Sequence, residues 1–186
     1  MKRQILKIQK EQAFPFCWVK FNSDHSIDFQ GYKMEIYLKK DFVNVSDMKS
    51  LFYDLFGTVL DGLSIFSLSW WDFCLDTWNI QDNTFCYNPQ FLSNETACYL
   101  RILQNSKITE GYSGCCICND WDTYLSAALD CIMKGTAPHG NFIYHSVKQF
   151  FFYFHHTGSI GFYYRNETPF TLAIKNNSKY EVLLSN

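Results

Sequence analysis

The sequence predicts an α+β fold, with a strand-helix-helix N-terminal half followed by a helix-backed, largely antiparallel C-terminal sheet. Three observations lead there. Apolar residues recur at helical spacing behind cap chemistry in two places, after Ser46-Asp47 and after Asn119-Asp120. From Asn141 onward the pattern changes to strand-like runs separated by turn residues. No Pro, Gly or Ser run divides the 186 residues, so one domain over 1–186 is expected, long enough to bury roughly two thirds of its unfolded surface without disulfides or metal.

Taken in order, Phe14 to Phe21 and Ile27 to Phe29 are short apolar alternations around the turn-like Asn22-Ser23-Asp24-His25, which predicts a hairpin or two edge strands. Met34 to Leu38 alternates as a strand. Met48, Leu51, Phe52 and Leu55 then mark one face of a helix, with Gly57 placed to end it. A second helix is expected from about Val59 to Trp70-Trp71, interrupted near Ser67–Ser69. Residues 79–113 are polar with scattered apolar anchors, and Glu95 to Leu103 predicts a short helix. Cys115 to Cys118 reads as a buried strand. Trp121, Tyr124, Leu125, Ala128, Leu129, Ile132 and Met133 form the clearest helical stripe, with Gly135 as its stop. Beyond it, strands are expected at Phe142–Val147, Gln149–His155, Ser159–Arg165, Phe170–Lys175 and Tyr180–Leu184, so that 141–186 forms a β-rich portion.

Composition and charge narrow the function classes. The Met1-Lys2-Arg3 start resembles that of a signal peptide, but Lys7, Lys10 and Glu11 interrupt any apolar core before about seven residues accumulate. Gly62 to Phe73 is too short to span a bilayer. A cytoplasmic protein is expected, its eight cysteines reduced and its Asn-x-Ser/Thr triplets without meaning. Residues 1–49 hold nine Lys/Arg against six Asp/Glu, residues 101–186 hold seven against six, and residues 50–100 hold none against six. A cation-free stretch of that length speaks against nucleic acid as the direct partner, because phosphate contacts need clustered cations, and favours a basic protein or a cationic ligand.

Catalytic handles are few. Cys115-x-x-Cys118 could be half of a zinc site completed by Cys86, Cys98, Cys131, His139 or His145, but without a second pair at fixed spacing it reads as core, and no metal or cofactor is expected. His155-His156 could hold a general base, yet nothing pairs it with a given cysteine, and no Gly-x-Ser-x-Gly or phosphate loop occurs. The Phe150 to Phe154 run is expected as a strand buried on both faces.

The acidic stretch is different, because its carboxylates are interleaved with large aromatics. Aromatic anchors beside same-sign charges suit a surface that binds an oppositely charged protein. The residues expected to make it are Phe56, Asp61, Trp70, Trp71, Asp72 and Asp76.

From Met34 to Phe52 the chain Met-Glu-Ile-Tyr-Leu-Lys-Lys-Asp-Phe-Val-Asn-Val-Ser-Asp-Met-Lys-Ser-Leu-Phe resembles the opening of barstar-like proteins: a strand, a short loop, then a Ser-Asp-capped helix. Phe56-Gly57-x-x-Leu60-Asp61-Gly62-Leu63 is similar to that family's aromatic-Gly-x-Asn-Leu-Asp-Ala-Leu segment, with Val59 where the family has Asn. The resemblance, over a portion of about 33–78, implies an intracellular ribonuclease inhibitor and gives Asp61 a place on the helix that enters the enzyme's cationic active site. The expected function is therefore that of an immunity protein, which binds and occludes a cognate basic toxin, a nuclease, with Asp61, Asp72 and Asp76 standing in for substrate phosphates and Phe56, Trp70 and Trp71 filling the cleft. Two other classes stay open: a small enzyme using Cys115, Cys118, His145 or His155, and a module for a cationic small ligand in an aromatic-lined pocket.

Overall fold

The structure, a computed structural model, describes residues 4–10, 12–22 and 26–185. Residues 23–25 of the expected first turn lie outside the described residues. In chain order the elements are β1 (Leu6–Ile8), β2 (Val19–Phe21), β3 (Ile27–Phe29), β4 (Tyr32–Leu38), α1 (Val45–Phe56), β5 (Leu63–Ser67), β6 (Trp78–Asn79), β7 (Thr84–Phe85), α2 (Asn94–Asn105), β8 (Gly114–Cys118), α3 (Trp121–Met133), β9 (Phe142–His145), β10 (Phe150–His155), β11 (Ser159–Tyr164), α4 (Pro169–Lys175) and β12 (Tyr180–Ser185). Eight strands form one antiparallel sheet in the order β1-β8-β5-β9-β10-β11-β4-β12, so the fold is α+β with a helix-backed antiparallel sheet. Its two edges come from opposite ends of the chain.

The sheet is covered on both sides. On one, α3 packs between α1 and α2 and touches β10. Met48, Leu51, Phe52 and Leu55 of α1 and Tyr124, Leu125, Ala128 and Leu129 of α3 enter this core. Phe56, at the end of α1, stacks on Phe152 with ring centroids 3.9 Å apart. On the other side the N-terminal arm lies across the middle strands. Phe14 meets Phe66 and Phe151 at 5.0 and 5.4 Å, and the Trp18 indole donates to the Gln149 amide oxygen at 3.0 Å. β10 is therefore buried from both sides, as its unbroken aromatic run requires: Phe150, Phe152 and Phe154 face the helices, and Phe151 faces the arm.

Local chemistry explains most element ends. Asn44 caps α1 in a box with Asp47, each side chain bonding the other's backbone N–H at 3.0 Å, two residues ahead of the expected Ser46. Asp120 caps α3, and Gly135, at φ 78°, follows its end.

α1 ends at Gly57 as expected, though not through a left-handed residue: Gly57 has φ −55°, and the chain tightens there into a 3-10 turn over Gly57–Gly62. Two expectations are corrected. The helix expected from Val59 to Trp71 is instead that turn followed by β5, which lies between β8 and β9 with Leu63, Ile65, Phe66 and Ser67 buried. A short apolar run buried on both faces has no periodicity to separate strand from helix. Gly62 admits β5 beside β9, since a Cβ there would run into the His145 ring. Phe170–Lys175, expected as a strand, is α4: Thr168 and Thr171 make a capping box, and Pro169 occupies the first helical position.

Candidate partner-binding site

Between β5 and α2 the chain leaves the sheet and runs irregularly from Leu68 to Leu92. Two tryptophans pin it down. Trp70 donates its indole N–H to the Gly114 carbonyl at 2.9 Å and Trp71 to the Ile108 carbonyl at 3.1 Å, and both rings are buried. With both tryptophans turned inward, Asp72 stays half-buried between the hydroxyls of Ser69 and Tyr87, each donating to one carboxylate oxygen. Burial first, then the hydrogen bond to Asp72, holds the Tyr87 phenol well above its usual range. This tyrosine is a fixed donor at neutral pH.

Beyond Asp72, a 3-10 turn over Leu75–Thr77 carries Asp76 back to α2. Its two oxygens accept from the Ser93 backbone N–H at 2.9 Å and the Thr96 hydroxyl at 2.7 Å. Asp76 is therefore committed to the N-terminus of α2, where negative charge is favoured. The β6–β7 hairpin follows, Trp78 opposite Phe85 with rings 4.9 Å apart, its turn held by the Asn79 side chain and by Asn83 at φ 52°.

This excursion and the start of β9 enclose a cleft of about 720 Å³. Leu68, Asp72, Leu75, Trp78 and Phe85 line it from the excursion, and His139, Asn141 and Phe142 from the approach to β9. Four of these are apolar side chains left open to solvent: Leu68 is 47 % exposed, Leu75 61 %, Trp78 38 % and Phe85 46 %. Asn141 of this lining donates to the hydroxyls of Tyr99 and Tyr124, whose phenols burial pushes far up, so the network stays neutral.

Of the six residues singled out from sequence, only Asp72 lines the cleft. Phe56, Trp70 and Trp71 are corrections: at 0 %, 0 % and 4 % exposure they are core residues and offer no side-chain surface to a partner. Asp61 is exposed on the 3-10 turn after α1, and its side chain makes no hydrogen bond or ion pair among the described residues. It precedes β5 at the end where Leu63 faces His145, whereas Asp72 lies beyond the end where Phe66 faces Phe142. The length of β5, roughly 16 Å, separates those ends. The acidic stretch is also not unpaired throughout, because Lys134 bonds Glu95 and Lys179 lies 3.3 Å from Asp54, both cations arriving from beyond residue 100.

The exposed anchors Leu75, Trp78 and Phe85 were not read from the sequence. A signal was present, since Gln81-Asp82-Asn83 between Trp78-Asn79-Ile80 and Thr84-Phe85 is hairpin chemistry with an aromatic on each arm.

The cysteine and histidine handles are held apart. Cys115 and Cys118 project from opposite faces of β8, one toward the arm and one toward the helices. Cys118 is on β8 and His145 on β9, and β5 runs between those strands, which sets them two strand spacings or roughly 10 Å apart. Burial pushes the Cys116 and Cys118 thiols up to about 12. The hydrogen bond that the protonated Cys131 thiol makes with Cys74, then burial, raises Cys131 further. Among the described residues no group of three or more His, Cys, Asp or Glu could hold a metal ion, and no helix is long and apolar enough to cross a membrane.

No family model, curated protein or solved structure matches the chain. The likeness of residues 34–63 to barstar-like proteins rests on those residues alone.

Proposed function

We propose that this chain is a binding protein of the immunity type, which docks a basic toxic protein at the cleft end of its sheet and blocks it. The observation that carries the reading is the cleft wall itself: Leu75, Trp78 and Phe85 exposed around the half-buried Asp72, in a stretch from residue 50 to 100 that contains no Lys or Arg. Exposed apolar side chains grouped beside fixed charge mark interaction surfaces, and tryptophan is among the strongest single anchors. A nuclease as the partner is what the barstar-like segment adds. Charges of one sign also steer a basic partner, so association slows as salt rises.

The test is the protein encoded beside this chain's reading frame. Co-expression is expected to protect cells from that neighbour's toxicity, and the two are expected to co-purify. Failure of both, or a complex whose affinity is the same with Asp72→Asn and Trp78→Ala, sinks the proposal. The cleft volume, inside the range of roughly 300–1,000 Å³ common to small-ligand sites, supports a second reading, a module for a cationic small ligand.

A further inference from the structure

We infer that the cleft takes an arginine side chain flanked by apolar residues, presented by an exposed segment of the partner. The inference rests on the docking reading above and specifies what enters. Three observations converge on the chemistry. Asp72, the one carboxylate among the described residues that line the cleft, has its oxygens oriented by the Ser69 and Tyr87 hydroxyls, so it is set in place before any ligand arrives. Trp78 and Phe85 line the same cleft as an edge-to-face pair, rings inclined at 67° and 4.9 Å apart, and stay 38 % and 46 % exposed, which leaves ring surface for a flat cation. Guanidinium is more weakly hydrated than ammonium, stacks on rings and forks onto a carboxylate, so it suits this wall better than lysine does. The cleft, at about 720 Å³, exceeds a single side chain, and the exposed Leu68 and Leu75 leave apolar surface for the neighbours of that arginine.

The probe is the capped tripeptide acetyl-Leu-Arg-Leu-amide, titrated into the full isotope-labelled chain while the Trp78 indole N–H is followed by NMR. A saturable shift at Trp78 is expected, with the buried indoles of Trp70 and Trp71 still. Loss of a charge-assisted hydrogen bond predicts roughly tenfold or greater weakening with Asp72→Asn, and similar weakening when citrulline replaces arginine. Trp78→Ala, which touches no buried hydrogen bond, is the second variant in case Asp72→Asn disturbs the fold; it is expected to weaken the peptide as well, read from the Phe85 ring signals. Equal binding of the citrulline or lysine peptide, no dependence on Asp72 or Trp78, or shifts only away from the cleft would overturn the inference. A neighbour-encoded partner that binds unaffected by excess peptide overturns it too, leaving the docking reading standing. Arginine-dependent peptide binding with no protein complex has the opposite meaning, retaining the inference and removing the docking reading.

Discussion

β10 and the outer part of the excursion, from Leu75 to Phe91, are both rich in large apolar side chains, and the fold treats them in opposite ways. In β10, Phe150, Phe151 and Phe152 are wholly buried and Phe154 is 2 % exposed, with helices on one side and the N-terminal arm on the other. In the excursion, Leu75 is 61 % exposed, Ile80 83 % and Phe91 75 %. A chain that builds two covering layers for one aromatic run has the means to cover another. Leaving the second open costs solubility and invites association, which is the usual sign of a surface kept for a partner.

The sharpest way to break that comparison is a pair of truncations. Phe56→Ala removes a ring stacked between α1 and β10 and is expected to lower stability by about 3–5 kcal/mol in urea unfolding. Trp78→Ala removes a ring of comparable size from the cleft wall. Its stability should change by no more than about 0.5 kcal/mol, while affinity for the partner falls by about 2 kcal/mol or more in calorimetric titration. If Trp78→Ala unfolded the protein, or Phe56→Ala left it equally stable, core and surface would have been assigned the wrong way round.

Asp76→Ala sharpens the same boundary within the acidic stretch. Because its carboxylate accepts from Ser93 and Thr96 at the start of α2, the loss is expected to appear as stability, about 1–2 kcal/mol, with the affinity of the folded protein retained. A loss of affinity at unchanged stability would return Asp76 to the docking surface.

Acidification should weaken the sheet and its helix layer, where the shifted groups lie, in two stages. Burial, with Lys148 and His156 adding to it, holds His145 and His155 below the ordinary 6.5. The unfolded chain therefore takes up protons first, and their contribution is present above 6.5 and lost as the pH falls toward the folded values. Glu35 and Asp54 are held below the ordinary 4.5 and 3.8, chiefly by the hydroxyls of Tyr37 and Tyr180, so their contribution disappears only at lower pH. Scanning calorimetry should show Tm falling between about pH 7.5 and 5.5. The double variant His145→Asn, His155→Asn should flatten that stage and leave the acid stage intact; an unchanged slope would show that other groups carry it.

What could be read from sequence followed from how local the signal was. The caps and stripes of α1 and α3 lie within one helix each, and the acidic excursion showed in charge alone. β5 was missed because its pattern depends on two flanking strands, one of them some eighty residues later in the chain. For the same reason Trp70 and Trp71 read as surface anchors: their partners, the carbonyls of Gly114 and Ile108, lie about forty residues away, and nothing near them in sequence marks those bonds. Thr168-Pro169, by contrast, was a legible helix start inside a β-like run.

Asp61 carries the smallest expected effect and divides resemblance from geometry most cleanly. The resemblance to barstar-like proteins implies that this aspartate belongs to a docking helix, whereas the fold sets it at the far end of β5 from the cleft, on a 3-10 turn. Exposed and without a side-chain bond among the described residues, it should cost less than about 0.5 kcal/mol of stability as Asp61→Asn. If the cleft is the site, the variant loses only long-range steering, seen as a modest fall in association rate at low salt that vanishes near physiological ionic strength, with the dissociation rate unchanged. A large rise in the dissociation rate would instead place Asp61 inside the interface, and the docking surface would have to move from the cleft to the end of the sheet where α1 gives way to β5.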